Sequence, residues 1–170
     1  MLKTHNIQHT ALYDAVKKIG YELRFFPHVY IRQQLRDFDF SGISVQQDTG
    51  GSIQGLLAKA ALLITDYFSK AMEAAMIRRP VLYFHFDKYA FRREHTYAEG
   101  YFDYTLDGFG VIALTVYELY SKVLSCMENA SDMPTLYKKR ADTFLAFNDQ
   151  NNCQRVYETL IRLSQPADAA

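Results

Sequence analysis

The chain has 170 residues, 49% hydrophobic and 22% charged, the proportions of a folded globular domain rather than a disordered or low-complexity one. At this length it reads as a single domain that buries enough surface to fold without a metal or disulfide staple. Nineteen basic residues balance nineteen acidic ones, so the basic excess that a general grip on nucleic acid needs is missing.

The first predicted element is a helix over residues 7–19, where Ile7, Leu12, Ala15, Val16 and Ile19 recur at roughly helical spacing and Gly20 supplies a stop. Glu22 to Phe26 reads as a strand broken by Pro27. Val29 to Phe38 is a short helix or an ordered loop, Ile43-Ser44-Val45 a second short strand, and Asp48 to Gly51 a loop with helix-start chemistry. Ser52 to Lys59 forms a short helix. Ala61-Leu62-Leu63-Ile64 is a continuous apolar strand, the kind that parallel sheets cover on both faces. Thr65-Asp66 can cap the next helix, which reaches about Ile77, and Pro80 opens the strand Val81 to Phe84. Helices alternating with strands are the mark of a doubly wound α/β sheet. Asp87 to Gly110 is a long aromatic, glycine-punctuated loop. Three closing helices follow, at 116–127, 134–147 and 152–163. The expected organisation is one Rossmann-like domain over residues 1–164 with a frayed tail at 165–170.

Cys126 and Cys153 lie far apart without a C-x-x-C pairing, so they read as small core residues rather than as zinc ligands or a disulfide framework. The opening MLKTHNIQHT has no apolar core of a signal peptide, and no apolar run reaches the roughly 18–20 residues of a membrane span. A cytoplasmic protein is the expectation, with peripheral binding to a membrane surface left open.

Open α/β sheets bind ligands beyond the carboxyl ends of their strands. Three segments occupy that edge: Pro27-His28, Thr65 to Lys70, and His85-Phe86-Asp87. In the second, backbone N–H groups together with Ser69 and Lys70 suit a phosphate or pyrophosphate; the alternative is that Thr65 or Asp66 simply caps its helix. His28 suits contact with a phosphate or proton transfer, or else is a surface histidine bonded to a carbonyl. His85, Asp87 and His95 match no metal-ligand spacing. Tyr97, Tyr101, Phe102, Tyr104 and Phe109 belong to a run, residues 84–109, that holds much of the chain's 15% aromatic content. They either stack a base or fold the loop onto the domain.

The string LLITDYFSKAMEAAMIRRPVLYFHFDKYAFRREHTYAEGYFDYTLDGFG resembles the CDP-glycerol glycerophosphotransferase family of teichoic-acid and capsule synthesis. G-Y-F-D-Y with D-G-F-G is its specific part. RFFPH is similar to that family's strand followed by H-P, and FNDQNNCQRVYETL to its closing helix. The likeness runs from about Tyr21 to Leu163. It implies the C-terminal, nucleotide-binding half of a two-domain GT-B enzyme, with a CDP-alditol donor, a polymer acceptor that is lipid-linked, and a partner half supplied in cis or by another chain. It implies no cofactor and no metal. By resemblance, His28 contacts phosphates or assists proton transfer, Thr65, Asp66 and Ser69 form the phosphate-binding turn with Lys70 beside it, and Glu73 contacts ribose. Asp87, Asp103, Tyr104 and Gly110 shape the rim. Three positions depart from the family pattern: Phe68 replaces one of two paired serines, Val29 replaces a proline, and Lys70 puts a charge where the family is apolar. The rival expectation is therefore a non-catalytic remnant of the same fold, acting by docking. Self-association through an exposed apolar face is a further expectation.

Overall fold

Val81-Leu82-Tyr83-Phe84 sends its side chains alternately to two sides, as any strand must, and both sides are covered. Val81 and Tyr83 pack among one apolar cluster; Leu82 and Phe84 pack in another. A computed structural model of the chain describes residues 3–27, 36, 44–45, 52–67, 69–88, 100–128 and 132–165. In chain order its elements are α1 (Lys3–Lys18), β1 (Arg24–Phe25), β2 (Ser44–Val45), α2 (Ile53–Lys59), β3 (Leu63–Thr65), α3 (Lys70–Met76), β4 (Val81–Phe84), β5 (Gly110–Ala113), α4 (Val116–Glu128), α5 (Thr135–Phe144) and α6 (Asn152–Ser164). β3, β4 and β5 form a parallel sheet, with Thr65 beside Tyr83 and Phe84 beside Ala113. β1 and β2 make a separate parallel pair, Arg24 beside Ser44.

The layers follow from this alternation. One face carries Leu57 of α2, Ala71, Ala74 and Ala75 of α3, and Met133 and Ala141 beside and within α5. The small alanines let α3 sit close to the sheet. The other face carries Leu12 and Val16 of α1 with Leu119 and Val123 of α4. The expected parallel α/β fold is thus borne out, but the strand buried on both sides is the central β4, whereas the apolar run 61–64 expected in that place forms the half-buried edge strand β3.

Local chemistry sets the helix ends. Gly20, at φ +88°, stops α1, with its N–H and that of Tyr21 returning to Lys17 and Val16. Ser52 caps α2 through its hydroxyl, which accepts from the Gly55 N–H at 3.1 Å. α3 ends on a residue that is not glycine: Arg78 adopts φ +59° while the N–H groups of Arg78 and Arg79 bond the carbonyls of Ala75 and Ala74. Its guanidinium pairs with Asp142 and donates to the Lys138 carbonyl, tying the strained turn to α5.

Two differences from expectation concern this part of the chain. β5 went unforeseen, because Gly110-Val111-Ile112-Ala113 directly follows a glycine-rich loop and is too short to signal by itself. Thr65-Asp66 does not cap α3. That helix begins at Lys70 with Ser69 in the capping position, and Ser69 makes no side-chain cap bond. The expected closing helices all form. α4 and α5 pack against the body, whereas α6 buries none of its residues. The segment 29–38, apart from Arg36, and the loop 48–51 lie outside the described residues.

Candidate functional site

The carboxyl ends of β3 and β4 bring the site together. β3 delivers Thr65, half-buried, then exposed Asp66, half-buried Tyr67 and exposed Ser69. β4 delivers His85, of which 2% is exposed, followed by Phe86 and Asp87. The His85 ring stacks on Tyr67 with centroids 4.1 Å apart and planes 14° from parallel. Tyr104 meets both edge-on, at 4.8 Å from His85 and 5.7 Å from Tyr67.

Hydrogen bonds fix this cluster to the β3–α3 turn. Nε2 of His85 lies 3.4 Å from the Asp66 carbonyl, so the proton sits on Nε2 and is donated there. The Tyr104 hydroxyl donates to the Tyr67 carbonyl at 3.1 Å. The Tyr67 hydroxyl donates to Asp87 Oδ1 at 3.4 Å. Beneath, the Phe109 N–H donates to the hydroxyl of fully buried Tyr83 at 3.3 Å. A pocket of about 110 Å³ opens here, lined by Ser69, Met72, Tyr83, Phe102 and Tyr104 among others.

Burial keeps the cluster uncharged. It pushes the Tyr67 phenol up to about 12, helped by the Asp87 carboxylate, and the Tyr83 phenol up to about 12 as well. Tyr104 moves in the same direction, chiefly by burial. His85 moves down, again first through burial and then through Lys88, against the pull of the Asp66 carbonyl and of the Asp66 and Asp87 charges. Two of these rings, those of His85 and Tyr104, bond backbone carbonyls of the β3–α3 turn.

On α3, Lys70 is bound by Glu73 one turn on, an i,i+3 pair, so its ammonium is not idle beside Ser69. The other oxygen of Glu73, Oε2, is buried with no partner among the described residues. Thr65, Asp66, Ser69, Lys70 and Glu73 are therefore gathered on one turn and the helix after it, with Asp87 close by through Tyr67. His28 and Phe68 lie outside the described residues.

The glycine-aromatic motif is mostly self-bracing. Asp103 Oδ1 accepts from the N–H groups of Thr105 and Leu106, at 2.6 and 3.1 Å, while Asp107 Oδ2 accepts from the Asp103 N–H at 2.9 Å. Arg140 of α5 donates to the Gly108 carbonyl at 3.0 Å. A Cβ at Gly108 would stand 2.1 Å from the Tyr104 carbonyl oxygen, so only glycine fits. Of the rim residues expected from the sequence, Tyr104 reaches the cluster. Asp103 shapes the loop. Gly110 lies beside Val81 at the amino ends of the strands, away from the ligand edge. Sequence reasoning placed Tyr67 and His85 in edge segments but gave Tyr67 no role and did not foresee the bonding of His85; the one available signal was their position after two apolar strands.

Fold and edge define a Rossmann-like α/β domain whose candidate ligand side, by the general rule for open parallel sheets, is the carboxyl ends of β3 and β4. The chain belongs to the CDP-Glycerol:Poly(glycerophosphate) glycerophosphotransferase family, whose model matches residues 1–162. It is 35% identical over 153 residues to the minor teichoic acid biosynthesis protein GgaB of Bacillus subtilis (strain 168), covering 89% of this chain and 16% of GgaB. Its fold is shared with the wall teichoic acid polymerase TagF, at TM-score 0.64 and 18% identity over 90% of this chain and 37% of that one. TagF soaked with CDPG superposes at TM-score 0.60, 21% identical, over 88% of this chain and 36% of that one. The chain thus spans well under half the length of the relatives it matches.

Proposed function

We propose that this chain is the C-terminal, CDP-alditol-binding half of a glycerophosphotransferase of the GT-B kind. In the reaction an acceptor hydroxyl oxygen on a teichoic-acid-like or capsular polymer bonds to the β-phosphorus of CDP-glycerol, or of a ribitol counterpart. The bond from that phosphorus to the bridging oxygen breaks, and CMP leaves with the oxygen. Catalysis of this type rests on positioning and charge stabilisation. His28 is assigned to the phosphates or to the acceptor's proton, and Thr65, Asp66 and Ser69 to the phosphates, with Lys70 at the turn's end. The ribose is assigned to Glu73.

One observation carries the reading: the Ser69 hydroxyl is not spent on capping, and one turn on, at i,i+4, Glu73 keeps a buried oxygen with no partner among the described residues. A buried acceptor left without a donor costs free energy, and a ribose hydroxyl would satisfy it. Membership of the family and the likeness to TagF support the same donor. The remaining half of the cleft comes in cis or from another chain, so this chain alone binds CDP weakly and turns over nothing. The acceptor is lipid-linked and the enzyme works peripherally at the inner face of the cell membrane; among the described residues no helix is long and apolar enough to cross one.

The second reading, a docking module with a degraded site, is favoured by Phe68 in place of a serine and by the engagement of Lys70 with Glu73. Calorimetric titration with CDP-glycerol separates the two. Donor binding that weakens about tenfold or more in Ser69→Ala, the scale of losing a bond to a charged group, and also weakens in His28→Ala, supports the enzyme half. Absence of binding at about 1 mM ligand, where interaction free energy is already near 4 kcal/mol, or indifference to both changes, supports the docking module.

A further inference from the structure

Two successive carbonyls of the β3–α3 turn, those of Asp66 and Tyr67, are each taken by a side chain from another part of the chain. His85 comes from the end of β4, Tyr104 from the loop before β5. The Tyr67 ring between these bonds is stacked on one donor and met edge-on by the other. Peptides are planar and the described chain has no cis bond, so a carbonyl and the following N–H point in opposite directions. Holding the Asp66 carbonyl toward His85 turns the Tyr67 N–H away from it.

We propose that Tyr104 and His85 are positioning residues that set the shape of the donor-binding turn. This rests on the reading of that turn given above. Tyr104 does not act alone: its loop is locked by the reciprocal bonds of Asp103 and Asp107 and fastened to α5 through Arg140 and the Gly108 carbonyl. In this chain the glycine-aromatic motif thereby reaches the turn through the Tyr104 hydroxyl, while the Asp103 and Asp107 carboxylates brace their own loop. His85 plays the matching part from below as a neutral donor, kept so by burial among Tyr67, Tyr83 and Tyr104.

The test uses the full chain and CDP as probe, in wild type, Tyr104→Phe, His85→Gln and His85→Phe, with Tyr101→Phe as a control on an exposed ring of the same loop. Tyr104→Phe keeps the ring packed and removes one hydroxyl, so the dissociation constant is expected to rise about five- to tenfold. His85→Phe is expected to weaken binding more than His85→Gln, because glutamine keeps an N–H at similar reach. A merely packed ring would give the opposite order. Amide exchange in the ligand-free chain is expected to quicken in the peptide spanning residues 64–70 in Tyr104→Phe and His85→Phe, and to stay at the wild-type rate elsewhere and in Tyr101→Phe. Unchanged CDP affinity in Tyr104→Phe, or exchange quickened evenly over the whole chain, overturns the proposal. If the wild type binds no CDP, the donor reading falls and the exchange pattern alone decides whether these two residues hold the turn.

Discussion

At His85 one imidazole is buried, stacked and hydrogen-bonded at once, and its environment makes a pH dependence. The folded ring titrates below its ordinary value of 6.5, because burial and Lys88 outweigh the carbonyl and the carboxylates of Asp66 and Asp87. The unfolded chain takes up this proton as pH falls through about 6.5, while the folded chain takes it up only lower. Between those values the unfolded state binds more protons, so stability falls as pH drops below 6.5. Urea midpoints between pH 7.5 and about 5.5 should therefore decline more steeply in wild type than in His85→Gln. Equal slopes in the two would refute the burial account. The sequence placed His85 at the ligand edge. It gave no sign of the Tyr67 stack or the Asp66 bond, since both partners come from residues 18 and 19 positions earlier, across the sheet.

Among the elements, the pairing of β4 with β5 depends on one missing side chain. Gly110 stands in register with Val81, and a Cβ there would lie 1.8 Å from the Val81 carbonyl oxygen, a backbone atom that cannot swing aside. Gly110→Ala is expected to destabilise the chain by about 2 kcal/mol or more, read as a lowered urea midpoint, through loss of this close approach. An alanine variant as stable as wild type would show that the strands separate at no cost. The D-G-F-G string was readable as a motif, but its two glycines do different jobs. Gly108 allows the loop to cross the Tyr104 carbonyl, and Gly110 allows a strand to approach its neighbour. Neither job is legible from spacing. β5 itself was hidden for a related reason: it begins on a glycine of the motif and runs on from a glycine-rich loop with no proline boundary like that before β4, so pairing with β4 decides it.

For the whole molecule, two apolar clusters account for the closed faces of the sheet, while α6 presents Val156, Tyr157, Leu160, Ile161 and Leu163 to solvent. These lie on one side of the helix, with Arg155, Glu158 and Arg162 opposite, an amphipathic pattern whose apolar side none of the described residues buries. The isolated chain is expected to self-associate as concentration rises, and Val156→Asp with Leu160→Asp to shift sedimentation toward monomer with little change in melting temperature. A wild type that stays monomeric throughout would remove that expectation. By itself the sequence determined the alternation of helices and strands as far as β4, the closing helices, the parallel α/β class and the family, because apolar runs and a long motif are local signals. Only the tertiary structure decided that Tyr104 reaches the turn while Asp103 braces its own loop, that Gly110 packs against Val81 within the sheet, and that Glu73 keeps an oxygen with no partner among the described residues. Those facts turn on distances between segments far apart in the chain, which hydrophobic packing sets and no local pattern records.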